Sequence, residues 1–464
     1  MEAEENRDVA VSADDSRVRS AVDLHCVRGF YVRSKQSQND DRRGAGGTPE
    51  NRRRVPEAGH RHVPAYTCPT CPTTRRYKYW PSRTGCWTPT IPCCNWFRSV
   101  CTSTWSRYPS AIVPIRPFCP VVFNEDVYGP LQNDSLVIVI QVHTRIMYLR
   151  HTIVSLARAR GIENALLIFS HDHYDEQINE LIQMIDFCKT MQIFYPYSIQ
   201  THPDSFPGES PDDCPRDIPK SEAIKRKCIN AMHPDQYGHY REAKFTQTKH
   251  HWWWKANRVF NELDVVNNYS GPILFLEDDH YVAEDFIYML KLMEKSCSIV
   301  CPQCSILSLG TYLKTYNFYG EAKAEISQWI SSKHNMGMAY NRTVWKQIVK
   351  CAGTFCKYDD YNWDWSLQGV SNNCLSHEFK VFVLKAPRVF HIGECGVHHK
   401  KSCFDMALIA KVQKLLSSVY KYLYPDKLEV TYAPIKKKVL RKGNGGWGDV
   451  RDHELCMRMV NHQW

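Results

Sequence analysis

The feature that most constrains this chain is a succession of short apolar runs, each followed by a helical pattern. Leu136-Val-Ile-Val-Ile-Gln-Val-His143 shows no polar alternation, the signature of a strand buried on both faces of a parallel sheet. Tyr148–Arg160 reads as a helix, and Ala165-Leu-Leu-Ile-Phe-Ser-His-Asp172 as a second apolar strand. Ile178, Leu181, Ile182 and Ile185 then recur at helical spacing. A third strand is predicted over Gln192–Ser198. Units of about 30 residues in β-α-β-α-β order predict a doubly wound, Rossmann-like α/β fold.

Further along, residues 199–238 form a Pro/Asp-rich loop that Cys214 and Cys228 are able to staple. A long helix is predicted over Glu242–Leu263, and a fourth strand over Pro272-Ile-Leu-Phe-Leu-Glu-Asp-Asp279. A helix over 284–296, strands over Ile306–Tyr312 and Val381–Ile392, and a helix over Met406–Tyr424 complete the prediction. Residues 1–110 carry charge clusters, a Gly-rich turn and many prolines without periodicity, and read as an irregular N-terminal extension. Residues 111–130 read as a stem or linker and 131–464 as the α/β domain. His60, His62, Cys68 and Cys71 offer zinc donors, but one CxxC without a second spaced pair is a weak pattern.

Charge distribution argues against a nucleic-acid partner. The net charge is +10, yet residues 1–110 hold 18 Lys/Arg against 11 Asp/Glu and so carry most of it. No element interleaves basic and aromatic side chains as a nucleic-acid surface does. Twenty cysteines spread without a CxxC…CxxC pattern point instead to disulfides in an oxidising compartment. Three sequons, at Asn133, Asn268 and Asn341, agree with a luminal location. No run of 18 apolar residues is present, so no transmembrane helix is expected, and Glu2, Glu4, Glu5 and Asp8 do not read as a signal peptide.

The chemistry centres on Glu277-Asp278-Asp279 at the carboxyl end of an apolar strand, where open α/β sheets bind ligands. Three adjacent carboxylates repel unless a cation or proton offsets them. A hard divalent ion bridging to a diphosphate does so. A solvated acidic turn ahead of a helix is the competing interpretation. Gln141-Val142-His143-Thr144-Arg145 follows strand one and Ser170-His171-Asp172 ends strand two, both suited to a nucleotide. Neither a GxGxxG motif nor a P-loop is present. In Lys244–Lys255 the basic and polar groups at its start suit phosphate or sugar hydroxyls, whereas Trp252, Trp253 and Trp254 cover most helix faces and read as core. Tyr358-Asp-Asp-Tyr-Asn-Trp-Asp-Trp365 sets carboxylates among aromatics, a place for a general base or for a hydrogen-bonded turn.

Seven segments are long enough to carry a family resemblance: FSHD (169–172), DCPRDIPK (213–220), GHYREAKFTQTKHHWWWK (238–255), LFLEDDHYVAEDF (274–286), YDDYNWDW (358–365), RVFHIGECGVHHK (388–400) and GGWGDVRDHELC (445–456). Together they resemble the N-acetylglucosaminyltransferase II family over about 130–460, while residues 1–110 do not resemble that family's tail, anchor and stem. The resemblance implies a GT-A-like nucleotide-sugar transferase fold and an inverting transfer of GlcNAc from UDP-GlcNAc to O2 of the α1,6-arm mannose of N-glycans. The Golgi lumen or membrane is the implied location. By the same resemblance Gln141–Arg145 and Asp172 hold the uridine half, and Gln247, Thr248, Lys249, His250 and His251 contact donor or acceptor, with Glu277 and Asp278 beside them. Asp279 and His391 are the implied Mn²⁺ ligands, Asp364 the implied base and Tyr316 an implied acceptor contact. The implied disulfides are Cys214–Cys228, Cys301–Cys304, Cys351–Cys374, Cys356–Cys456 and Cys395–Cys403, leaving Cys188 and Cys297 unpaired. Transfer to an α1,3-arm mannose, and a non-catalytic UDP- or glycan-binding homologue, are the alternatives.

Overall fold

A computed structural model describes residues 120–460 apart from 313–315, 317, 320–321, 394, 397–398, 401–406 and 435–442. The strands are β1 (Val137–Val142), β2 (Leu166–His171), β3 (Lys189–Phe194), β4 (Ile273–Glu277), β5 (His280–Val282), β6 (Ile306–Ser308), β7 (Ala322–Gln328), β8 (Met338–Tyr340), β9 (Lys380–Leu384), β10 (Val389–His391), β11 (Cys395–Gly396), β12 (His399–Lys400) and β13 (Leu428–Tyr432). Nine of them form one sheet in the order β13-β7-β9-β6-β8-β4-β1-β2-β3. The β3-β2-β1-β4 half is parallel throughout, and β8 pairs antiparallel to β4. Chain order reverses between β1 and β4, so the ligand crevice of a doubly wound sheet falls at their carboxyl ends.

The predicted apolar runs fill both faces of this half-sheet. Val137, Val139, Leu166 and Ile168 point to one core with helix α3 (Ala243–Asn261); Ile138, Ile140, Leu167 and Phe169 point to the other, with α1 (Ile146–Ala157), α2 (Glu176–Gln183) and α4 (Phe286–Val300). Asp175 starts α2 by accepting the Ile178 amide at 2.9 Å, a side-chain cap for a helix whose Ile178, Leu181 and Ile182 are buried. Trp252, Trp253 and Trp254 are all buried, as expected of core.

Several boundaries differ from expectation for definite reasons. β3 begins at Lys189, before the predicted Gln192, because the Lys189 stem is buried and its Nζ reaches the Tyr128 carbonyl at 3.4 Å. The predicted strand Val381–Ile392 is two strands in different sheets. Pro387, which lacks an N–H, lies in the turn between them, after which β10 leaves the large sheet to pair antiparallel with β5. The strand predicted over Ile306–Tyr312 ends at Ser308, and the helix predicted over Met406–Tyr424 runs Ala407–Ser418 with a 3₁₀ turn at Tyr420–Tyr422. Part of the expected linker belongs to the fold: Phe123 exchanges both backbone hydrogen bonds with Thr190, and Asn124 Nδ2 donates to the carbonyls of Ile185 and Cys188.

Among the described residues four disulfides are formed, Cys214–Cys228, Cys301–Cys304, Cys351–Cys374 and Cys356–Cys456, while Cys188 and Cys297 are free and buried. The Cys395 side chain and Cys403 lie outside the described residues, as do His60, His62, Cys68 and Cys71. Asn133 and Asn268 are exposed, whereas Asn341 caps the helix Arg342–Lys350 through bonds from the Thr343 and Val344 amides. No helix among the described residues is long and apolar enough to cross a membrane.

Candidate active site

The acidic triplet sits where β4 runs into the turn leading to β5. Strand β4 carries Glu277 to the tip, and α1 fixes the turn from below: Thr152 Oγ1 donates to the Asp278 carbonyl at 2.8 Å. β1 lies alongside in register, Gln141 opposite Glu277. Its following turn meets the triplet, with the His143 amide donating to Asp278 Oδ2 at 3.2 Å. The Arg145 guanidinium spans the two aspartates, reaching Asp279 Oδ2 at 2.7 Å and pairing with Asp278 Oδ1. Part of the cationic offset that three carboxylates require is therefore supplied by the protein itself.

The β5/β10 ladder explains how a residue 112 positions downstream reaches the same spot. His391 pairs with His280 in register, and Arg388, buried against Asp285 at 2.7 Å, anchors the start of β10. His391 Nε2 comes to 3.3 Å from Asp279 Oδ2. Asp279 Oδ1 is buried without a hydrogen-bond partner, an arrangement that is costly unless something else meets that oxygen. A Cβ at Gly393 would fall 2.2 Å from Asp279 Oδ2, so only glycine lets this backbone come so close. Glu277, Asp279 and His280 also offer ligand atoms within 4.8 Å of one another. Between the two imidazoles, His391 is the better donor. His280 Nδ1 accepts the Glu277 amide at 3.1 Å, and burial lowers its pKa to about 3, so its other nitrogen carries the proton.

On the β2 side, Asp172 is buried between two imidazoles, His143 Nδ1 at 2.6 Å and His251 Nδ1 at 3.3 Å. Burial alone would raise this carboxyl, but the imidazoles of His251 and His143 hold it well below the usual carboxylate range. The His143 ring is half exposed at the crevice. Thr144 is exposed beside it, while the Val142 side chain is in the core and leaves only its backbone to a ligand.

Asp364 stands in the first turn of α5 (Trp363–Asn373). Trp363 stacks on Trp252 with centroids 4.6 Å apart and planes within 2°, which fixes that turn against α3. Asp364 accepts from Asn335 Nδ2 at 2.9 Å and from the Trp365 amide at 2.9 Å. Burial pushes its carboxyl up to about 7, with the charges of Asp360 and Glu277 adding to the rise and the two hydrogen bonds opposing it. Glu277 and Asp364 thus sense each other across one site. Tyr316 lies edge-on to Phe390, the neighbour of His391 on β10, with centroids 5.8 Å apart.

The run 247–251 divides. His251 faces Asp172, and Gln247 Oε1 accepts the Ile199 amide at 2.7 Å. Lys249 and His250 are engaged with other parts of the protein instead. Lys249 Nζ is buried and donates to the carbonyls of Tyr358 and Asp360, over the Trp447 ring, and His250 Nε2 is 2.9 Å from buried Asp452. A helix turns about 100° per residue, so neighbours in such a run cannot all face one site. Thr248 is half-buried between them. Two participants went unremarked in the sequence. Lys255 Nζ donates to Gln141 Oε1 at 2.7 Å, and its spacing of four from His251 was the available signal. Asn335 had no signal.

A parallel β3-β2-β1-β4 half-sheet with a carboxylate cluster at its switch point is the frame of a nucleotide- or metal-binding α/β enzyme, and the family match makes this one a nucleotide-sugar glycosyltransferase. Residues 116–456 match the family model described as N-acetylglucosaminyltransferase II. The chain is 50% identical over 352 residues to the alpha-1,6-mannosyl-glycoprotein 2-beta-N-acetylglucosaminyltransferase of Mus musculus, covering 75% of this chain and 79% of the relative. The Homo sapiens enzyme of that name is 48% identical over 353 residues, 75% and 78%. The Arabidopsis thaliana one is 34% identical over 340 residues, 72% and 76%. The chain belongs to the N-acetylglucosaminyltransferase II family.

Proposed function

We propose that this chain moves GlcNAc from UDP-GlcNAc, with inversion, to O2 of the α1,6-arm mannose of an N-glycan, using Mn²⁺ held by Asp279 and His391. The observation that carries the reading is Asp364: a buried carboxyl in the first turn of α5, held by Asn335 Nδ2 and the Trp365 amide, which burial pushes up to about 7. A base near neutral pH takes a hydroxyl proton efficiently and is still ionised often enough to act. The metal fits the donor set, because a carboxylate and an imidazole suit manganese and Asp279 Oδ1 has no other partner. When bound, the ion takes up negative charge on the departing diphosphate. Gln141, His143, Arg145 and Asp172 then orient the nucleotide along the β1 and β2 tips, with Glu277 and Asp278 setting the charge of the crevice. A Golgi-lumen location is supported by the disulfides and by the exposed sequons at Asn133 and Asn268.

The test supplies the purified chain with Mn²⁺, UDP-GlcNAc and defined N-glycan acceptors, and reads product mass and linkage. The expected product carries one new β1,2-GlcNAc on the α1,6 arm. Asp364→Asn is expected to lose at least a hundredfold in turnover while still binding UDP by calorimetry. Product on the α1,3 arm overturns the acceptor assignment, full activity in D364N overturns the base, and UDP binding without transfer by the wild type leaves only a binding protein.

A further inference from the structure

Helix α3 presents Gln247, His251 and Lys255 four residues apart, on one face. Each is buried, and each meets a different strand end of the parallel half-sheet. Gln247 receives the Ile199 amide just beyond β3. His251 Nε2 lies 2.8 Å from Ser170 Oγ of β2. Lys255 Nζ donates to Gln141 Oε1 of β1 at 2.7 Å and sits over the Phe275 ring of β4, 5.6 Å from its centroid. The rungs follow the strand order, and Lys255 is the rung at the β1/β4 switch point. Its side chain also lines a small, partly open cavity with Trp252, Glu277, His280, Asn335 and Trp363.

We infer that Lys255 is a positioning residue for the nucleotide-sugar donor, acting through Gln141 and the β1/β4 strand tips. Burying an ammonium is unfavourable, and an apolar side chain of that length packs among Trp252 and Phe275 at no such cost. Its ammonium donates to Gln141, a half-buried residue near the carboxyl end of β1 rather than a core residue. Glu277 lines the same cavity as the Lys255 side chain. With Lys255 in place the Gln141 amide is oriented with its oxygen inward and its NH₂ left to the crevice. Without it the amide is free to rotate and the register of β1 against Glu277 loosens. A residue acting this way affects donor affinity before it affects the chemical step or the acceptor.

This rests on the donor proposed above, and the test separates the two. The full chain is compared with Lys255→Met, Lys255→Gln and Lys255→Arg, and with Gln141→Met alone and combined with Lys255→Met. The measurements are UDP binding by calorimetry with Mn²⁺, donor KM, acceptor KM and thermal unfolding. K255M is expected to raise the UDP Kd and donor KM at least tenfold while acceptor KM stays within twofold. K255R is expected to return donor KM to within threefold of wild type, and the double variant to be no weaker than the worse single one. If K255M does not fold, K255Q carries the same comparison, since its amide has no charge but similar reach. Donor KM within twofold of wild type in the folded variants, additive single effects, or equal losses for donor and acceptor overturn the inference. A wild type that binds no UDP overturns the donor reading together with it, whereas a wild type that binds UDP beside unaffected variants overturns this inference alone.

Discussion

Asp364 shows how one side chain's surroundings set its chemistry. An aspartate with an ordinary value of 3.8 is ionised throughout the neutral range and is a weak base; burial here lifts it to about 7. Only the ionised form accepts the mannose hydroxyl proton, so log kcat/KM is expected to climb with unit slope up to about pH 7 and then level off. A low-pH limb near 4 in the pH-rate profile would show that Asp364 is not the base. The sign for stability runs the other way. The folded state holds this proton more tightly than the unfolded chain, so the contribution is present below 3.8 and lost as pH rises through about 7. At this scale the sequence spoke unevenly. The triplet 277–279 and the run 358–365 were readable as acidic and aromatic clusters, while the choice of Asp279 and Asp364 within them came from the family resemblance. Asn335, which holds Asp364 at 2.9 Å, was not readable, since nothing in the spacing of its neighbours distinguishes it from a loop asparagine.

Elements were legible where burial on both faces forced apolar runs. β1, β2 and β4 were found to within two residues at either end, for Val137–Val142, Leu166–His171 and Ile273–Glu277 contain almost nothing else. β3 was found late because Lys189 and Thr190 are buried polar residues, and hydropathy cannot reveal a lysine whose ammonium finds a carbonyl at 3.4 Å. The break between β9 and β10 was missed because both strands are apolar and only the turn at Pro387 separates them. Short elements such as β8 gave no periodic signal. The sequon at Asn341 had a second meaning at this scale, as a helix cap. Replacing Asn341 by Ala is expected to cost about 1 kcal/mol of stability by removing the acceptor for two amides. Urea unfolding of N341A beside wild type measures it, and an unchanged midpoint would mean that water caps the helix equally well.

The whole molecule is organised around long-range ties to helix α6 (Val450–Val460) and the segment before it. Arg241 donates to Asp452 at 2.9 Å and to the carbonyls of Pro207 and Gly208, and Asp452 also pairs with His250. The Trp447 amide bonds Asp359, and the Asn444 amide bonds Asp360, bracing the turn that leads into Asp364. Parts of two segments that carry the family resemblance, 238–255 and 445–456, are the two halves of this brace. No local pattern encodes that, because each half is ordinary until the other meets it. The Cys356–Cys456 bridge closes a separation of 100 residues, against 14 for Cys214–Cys228. In the chain-entropy account the first is worth about 4.7 kcal/mol and the second about 3. Replacing both cysteines of a pair by Ser is therefore expected to lower the unfolding midpoint more for Cys356/Cys456 than for Cys214/Cys228, and the reverse ranking in thermal denaturation would overturn the entropic reading.

That same bridge makes the protein tolerant of damage. A single proteolytic cut anywhere between residues 357 and 455 leaves both fragments covalently joined, with α6 still tied to Cys356. A nicked molecule therefore migrates as intact until a thiol reductant is added, and only then do its pieces part.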